Sequence, residues 1–324
     1  MVRRFLPLLL AGLILAAGPA PADERVAVVS QDAGTISLLD AAGGAPTAYP
    51  VGSGPAGIAL SPDGAEMYVA FPDGGHVAVL DRATGTVRRT LPIQGQPFGI
   101  AADSRFLYVS DWSRDRVLKL DIIGGQTVAT AAVGHSPAGL VLAGERLYVA
   151  NRESGDVTTL AASDMRVLVT IPSGDSPYAL ALSPDGRTLY AVNVRSDDVA
   201  VIDTAILERR ARVPVGRMPY GVAVTPDGAH VLVTSQHGNS LVIIDAARLA
   251  SEGEVPVGRY PEGVVTDHAG RAYVANWFSG DVSVIDIAQR RELTRLKVGD
   301  GPRFLAVLPP PPGAPSGAVE GSAP

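Results

Sequence analysis

The chain has 324 residues and no cysteine, which excludes a disulfide framework, thiolate metal sites, a lipidated cysteine and haem attachment through C-x-x-C-H. Lys and Arg number 27 against 33 Asp and Glu, a net charge of −6, and loss of a leader carrying Arg3 and Arg4 would leave 25 against 33. That balance argues against a general polyanion binder.

Residues 1–22 read as a signal peptide. Arg3 and Arg4 form a basic start, Phe5 to Ala17 a short apolar run, and Ala20-Pro21-Ala22 a small-residue cleavage site. Cleavage is expected after Ala22; an uncleaved anchor would leave the protein on the same side of the membrane. No later stretch is long and uniformly apolar, so no membrane span is expected after cleavage, and the expected location is periplasmic or secreted. Residues 310–324 are almost entirely Pro, Gly, Ala and Ser, lack apolar periodicity, and are expected to be a disordered tail. Residues 23–309 remain for one large all-β domain.

Within that domain a proline followed two residues later by a small residue recurs every 40 to 42 positions, at Pro55, Pro97, Pro137, Pro177, Pro219, Pro261 and Pro302. From Val51 to Asp81, VGSGPAGIALSPDGAEMYVAFPDGGHVAVLD shows the grammar of one unit. Pro55 opens a strand where its missing N–H costs no ladder bond, and Gly57 marks close approach of neighbouring strands. Ser61-Pro62-Asp63-Gly64 is a hairpin turn, followed by strands at Met67 to Ala70 and His76 to Leu80. The same grammar returns from Leu180 to Asp203 and from Val222 to Asp245. Units of about four short strands cannot bury their own apolar faces, but radially stacked units can. Val26 to Asp40 matches the second and third strands of a unit, and Gly301 to Leu308 matches a first strand alone. The expected fold is therefore a seven-bladed β-propeller of four-stranded antiparallel blades, closed by the C-terminal strand completing the N-terminal blade.

Two segments, AYVANWFSGDVSVID from Ala272 to Asp286 and LYVANRESGDVTTL from Leu147 to Leu160, resemble the repeats of the YVTN propeller family of the YncE type, over roughly residues 26 to 308. The resemblance implies an exported protein without an assigned reaction. Related propellers include lactonases, lactonising enzymes, amine dehydrogenase heavy chains and haem d1 domains, so it speaks to fold far more than to activity. Ala179 and Phe304 depart from the small glycine after the opening proline, and Ala161 stands where other units have an aspartate.

Recurring acids are read as scaffold. Asp40, Asp81, Asp121, Asp203, Asp245 and Asp286 each end a third strand, where a carboxylate can accept N–H bonds from the following turn. Function is expected where the repeat is broken, at the axial mouth formed by residues around each opening proline and by the loops between second and third strands. The candidate ligand-binding residues are Trp112, His135, Asp175, Tyr178, Arg195, Arg217, Tyr220, Arg259, Tyr260, Glu262, Trp277 and Arg303. Arginines, a carboxylate and large aromatics together suit a small anionic or partly aromatic ligand, or a periplasmic protein partner anchored by Trp and Arg. The bland alternative is that the tyrosines pack loops and the arginines are solvated.

No cofactor and no metal is expected. His76, His135 and His237 fall in blades two, four and six, too far apart in the pattern for one ion without long inward loops. No nucleophile elbow, P-loop or dinucleotide fingerprint occurs, so the reading leans away from an enzyme. It favours a monomeric, non-catalytic binding module working through its mouth. One alternative is a lactonase- or lyase-like enzyme, with Arg217 and Arg259 holding a carboxylate and His237 and Glu262 as candidate catalytic residues. Another is an accessory protein of a periplasmic quinoprotein or cytochrome system. Nucleic acid ranks last: Trp112, Trp277 and several arginines could stack on bases and neutralise phosphates, but an exported protein with a net negative charge is not expected to be a general binder.

Overall fold

The computed structural model describes residues 24–40 and 44–310. The signal peptide and the C-terminal tail read from the sequence lie outside the described residues, apart from Pro310. The described chain forms seven four-stranded antiparallel sheets in a ring, a β-propeller. Among these residues the only helix is the single turn Trp277–Ser279. None is long and apolar enough to cross a membrane.

Blade one is assembled from both ends of the chain, with strand order Pro302–Leu308, Arg25–Ser30, Thr35–Asp40, Thr47–Pro50. Arg25 pairs with Leu308 and Val29 with Phe304, so the last strand supplies the innermost ladder that the N-terminal segment lacks. Two latches flank this closure. Arg82 donates to the carbonyls of Gly64 and Pro309, and Glu24 accepts from the backbone N–H of His268 at 3.1 Å while facing its Nδ1 at 2.6 Å.

Blade two runs Ile58–Leu60, Glu66–Phe71, His76–Asp81, Val87–Pro92, so its second and third strands extend about one residue beyond the expected limits. In blades three to seven the innermost strand begins at the opening proline itself, as Pro97–Ala102, Pro137–Ala143, Pro177–Leu182, Pro219–Val224 and Pro261–Thr266.

Second strands carry the largest fully buried side chains. Tyr68, Tyr108, Tyr148 and Tyr273 occupy equivalent places and are fully buried between blades. Three keep their hydroxyls bonded to an acid near the first hairpin: Tyr68 to Glu66, Tyr108 to Asp103 and Tyr273 to Asp267. Satisfying the phenol this way lets a large ring enter the core without an unpaired polar atom.

The inner strands meet as the glycines suggest. A methyl placed on Gly57, Gly99, Gly139, Gly221 or Gly263 would lie under 3.0 Å from the carbonyl oxygen of the next blade's strand, nearer than real Cβ atoms come. Gly57 N–H donates directly to the Phe98 carbonyl at 3.1 Å. Elsewhere a hydroxyl relays the bond: Gly99 N–H to Ser110 Oγ to the Ala138 carbonyl, and Gly221 N–H to Thr234 Oγ1 to the Glu262 carbonyl. Adjacent blades are thus stitched at the axis by backbone polar groups that would otherwise be orphaned.

The repeated acids act as turn acceptors. Asp81, Asp121, Asp203 and Asp245 each accept backbone N–H bonds from residues two and three further on, and Asp286 accepts from Gln289.

Candidate functional site: two rings around the axis

Two stacked rings of side chains surround the axis at the mouth. The inner ring is the residue after each opening proline: Ala56, Phe98, Ala138, Tyr178, Tyr220, Glu262 and Arg303. Its aim is set by the residue before the proline. Ser136, Ser176, Met218 and Tyr260 hold φ between 50° and 60°, and Gly54 and Gly301 hold similar values. A left-handed residue there turns the chain inward at an energetic cost for the four non-glycines. Hydrogen bonds hold three of those four: Asp115, Asp197 and Asn239, in the neighbouring blade's loop between second and third strands, accept the N–H of Ser136, Met218 and Tyr260 at 2.8 to 2.9 Å.

The outer ring is the first residue after each second strand: Gln31, Pro72, Trp112, Arg152, Val194, Gln236 and Trp277. Except for Pro72, each donates its backbone N–H to the carbonyl just before an opening proline, as in Trp112 to Gln96 and Trp277 to Tyr260. That bond fixes which loop residue faces the axis. The next residue along points away, so Arg195, His237 and Phe278 are exposed while Val194 and Gln236 are buried.

Arg303 is the centre of the two rings. Its Nη2 donates to both Tyr178 and Tyr220 hydroxyls, at 2.9 and 3.0 Å, and its Nη1 donates to Gln31 Oε1 at 2.8 Å. The guanidinium lies 5.4 to 5.9 Å from the ring centroids of Phe98, Tyr220, Trp277 and Phe304, within cation–π range. Ala56 and Ala138 flank Phe98 in the ring order, and their small side chains leave room for Phe98 to reach Tyr178 and Phe304 edge-on.

Glu262 is the counter-ion. Its Oε2 lies 2.8 Å from Arg303 Nε and its Oε1 accepts from Gln236 Nε2 at 3.1 Å. Neither Arg303 Nε nor Glu262 Oε2 makes a directed hydrogen bond, so this contact is an ion pair in the electrostatic sense. The Glu262 residue is only 4% exposed. Burial pushes its carboxyl up to about 7, and the Arg303 guanidinium only partly offsets that rise. Burial also opposes the charge on Arg303, but Tyr178, Glu262 and Tyr220 outweigh it and hold the guanidinium firmly protonated.

Two spaces meet at this layer. Above it, a cup of about 270 Å³ is lined by Gln31, Trp112, Arg152, Phe98, Tyr220 and Arg303, with Gln96, Pro72, Asp73 and Tyr178 completing the wall. Below it, an axial cavity of about 250 Å³ runs past the glycines and a belt that includes Ile58, Ile100, Leu140 and Leu305, with Glu262 and Arg303 at its polar end. Arg152 stacks over Trp112 at 5.5 Å, and its buried Nε has no hydrogen-bond partner. One hydrogen of Arg303 Nη1 also lacks an acceptor among the described residues.

No family model matches the chain, and no curated protein matches it in sequence. Solved structures do match. A functionally unknown protein from Desulfotomaculum acetoxidans DSM 771 is similar over 88% of this chain and 99% of its own, with TM-score 0.78 and 12% identity. A chain of Kuenenia stuttgartiensis hydrazine synthase is similar over 71% of this chain and 95% of its own, with TM-score 0.51 and 22% identity. These likenesses show the propeller fold and no more.

Of the residues singled out in the sequence, the structure gathers Tyr178, Tyr220, Glu262, Arg303, Trp112 and Trp277 around the axis. Tyr260 sits at the edge, half-buried, with Phe278 at 4.7 Å and His237 at 6.2 Å between ring centroids. The others lie on the exposed rim. His135 faces Asp115 at 2.7 Å, which raises the His135 imidazole and lowers the Asp115 carboxyl. Arg195 pairs with Glu153 at 3.2 Å, and Arg259 donates to the Phe278 carbonyl. Asp175 and Arg217 are exposed beside the prolines. His76 stacks on Phe71, so His76, His135 and His237 occupy three separate surroundings.

The polar loop residues Asp111, Asn151, Asn193 and Asn276, read from the sequence as part of the mouth, are fully buried under it. They brace the hairpins, as Asn151 does to Asp156 and Asn276 to Asp281. Of the axial residues, Gln31 is absent from the sequence reading of the mouth, and Phe98, Arg152 and Gln236 stand in its mouth-face segments without being singled out as ligand-binding. Their signal lay one residue away: the inward loop position immediately follows the second strand.

Proposed function

We propose that the chain is an exported binding module of the YVTN-repeat kind that takes a small anionic ligand in the cup above Arg303. The leader read in residues 1–22 supports export to the periplasm, and the YVTN-like segments support the family reading. The carrying observation is Arg303: a buried guanidinium, its side chain 17% exposed, braced by two phenols and an amide and opening onto a cup shared with a second arginine that has a spare donor. A guanidinium fixed in place loses little freedom on meeting an anion, which favours binding. The cup is small for a macromolecular anchor, so a small molecule is favoured over a protein partner. Native mass spectrometry of protein purified from its own compartment, followed by titration with a panel of small anions, tests this. An Arg303→Gln variant that folds and still binds every anion as tightly as the parent overturns it.

One observation favours catalysis instead. A buried carboxyl near neutrality beside a guanidinium is suited to proton transfer. The lactonase-like grouping read from the sequence would then be replaced by Glu262 with Arg303, since Arg217 and His237 are exposed on the rim. Turnover on a lactone panel that disappears in Glu262→Gln, with ligand binding retained, would establish this second reading.

A further inference from the structure

Resting on the anion-binding reading above, we propose that the cup takes a planar monocarboxylate together with one proton, which settles on Glu262 as the ligand carboxylate replaces Glu262 as counter-ion of Arg303.

The charge balance requires the proton. Arg303 is already matched by Glu262 at 2.8 Å, and Arg152 lies 3.9 Å from Glu153. Asp73 stands in the wall of the cup, and Asp32 is close enough to Glu262 to raise its carboxyl. Tyr260 and the deeply buried Tyr178, whose phenol burial pushes far up, also face Glu262, and Tyr220 lines the same axial cavity. With Glu262 ionised, a second anion entering this layer finds the guanidinium neutralised and two carboxylates at hand. Protonating Glu262 frees one full positive charge, held in a low-dielectric setting where it attracts strongly. The proton comes from solvent and returns there on release; no covalent bond is made or broken.

Shape and polarity set the ligand class. Trp112 beneath Arg152 and Phe98 beside Arg303 offer flat faces, while Gln31 and Gln96 offer amides for the head group. A cup of about 270 Å³ holds a single-ring acid rather than a drug-sized molecule. Asp73 and Asp32 disfavour a second carboxylate.

The protein carries two tryptophans, Trp112 and Trp277, and both flank the arginines of this site, so intrinsic fluorescence reads the cup directly. The probe is benzoate, with isophthalate as dicarboxylate, benzyl alcohol as neutral analogue and cyclohexanecarboxylate as non-planar analogue. Benzoate is expected to bind about tenfold more weakly at pH 8 than at pH 6, because Glu262 titrates at about 7. Calorimetry in buffers of different ionisation enthalpy should show close to one proton taken up at pH 8 and close to none at pH 6. Glu262→Gln should bind benzoate with no pH dependence between these values. Arg152→Gln, which breaks no buried ion pair, should weaken binding about tenfold. Equal benzoate affinity at pH 6 and 8, or equal binding of any of the three analogues, overturns the inference. If benzoate fails while another anion binds in an Arg303-dependent way, the binding-module reading survives without it; if no anion binds, both fall.

Discussion

Adjacent positions on the innermost strands obey opposite rules. The residue after each opening proline is Ala, Phe, Ala, Tyr, Tyr, Glu and Arg going round the ring, and the residue after that is Gly, Gly, Gly, Ala, Gly, Gly and Phe. The second set is nearly uniform because backbone from the next blade passes where a side chain would stand. The first set points toward the axis, where side chains meet one another rather than a neighbour's backbone, so its members can differ in size and charge so long as together they fill the ring, and it can carry chemistry. One strand therefore offers a structural constraint and a functional opportunity at consecutive residues, and repetition makes the two distinguishable.

The sharpest way to break this comparison is to remove the charge from the free layer. Arg303→Met leaves Glu262 buried without its counter-ion, and breaking such a pair typically costs about 3–5 kcal/mol. The loss should be greatest above pH 7 and shrink toward pH 5, where Glu262 is protonated in either protein; denaturant melts at pH 5 and 8 check it. An equal loss at both pH values would show that the arginine matters only through packing.

Glu262 itself should leave a signature on stability. Its carboxyl is raised from 4.5 to about 7 in the folded protein, so the folded state holds the proton more tightly than the unfolded chain. Stability from this group is fully present below pH 4.5, falls as pH rises to about 7, and is flat beyond, a total of about 3 kcal/mol. Subtracting the unfolding curve of Glu262→Gln from that of the parent isolates the slope. Carboxylates with lowered pKa, such as Asp115 and Asp227, contribute at more acid pH and cancel in the difference.

The constrained layer gives the third test. Gly221→Ala places a methyl under 3.0 Å from the Glu262 carbonyl, so the blades must part, at about 1–3 kcal/mol. Blade five carries Ala179 at the equivalent place natively, packed with Tyr220 and its neighbours, so Ala179→Gly should change little by comparison. Thermal unfolding of the two variants side by side measures the asymmetry.

The ring was legible in the sequence because seven prolines at even spacing fix the register, and because a lone first strand at one end matches a missing one at the other. Tyr178, Tyr220, Glu262 and Arg303 were legible for the same reason: each is pinned by an adjacent proline. The outer ring was not. Whether Arg152 or Glu153, and Gln236 or His237, faces the axis depends on a backbone bond to a carbonyl in the segment leading into the blade's innermost strand, and loop sequences carry no periodicity that reveals it. Phe98 is inconspicuous in the sequence because its prominence comes from Ala56 and Ala138, two bland residues whose small size lets its ring reach across them.

Blade four supplies the gentlest test, because there the scaffold itself departs from its own rule. Ala161 stands where blades two, three, five, six and seven place an aspartate that accepts turn N–H groups. Its turn keeps the closing bond that the aspartate-bearing turns also make, Met165 N–H to the Ala161 carbonyl at 2.8 Å, with Met165 held at φ 61° and buried. What blade four lacks is the side-chain acceptor, and its turn is set apart by the burial of Met165 where blades five and six place the half-buried Leu207 and Leu249. Ala161→Asp should add acceptors for the N–H groups of Ser163 and Asp164 and raise stability by about 0.5 kcal/mol, at the low end of a net hydrogen bond because Asp164 lies close by. A measurable loss of stability would instead mean that the methionine has already satisfied this turn in another way, and that the repeated aspartate is one solution among several rather than a requirement of the blade.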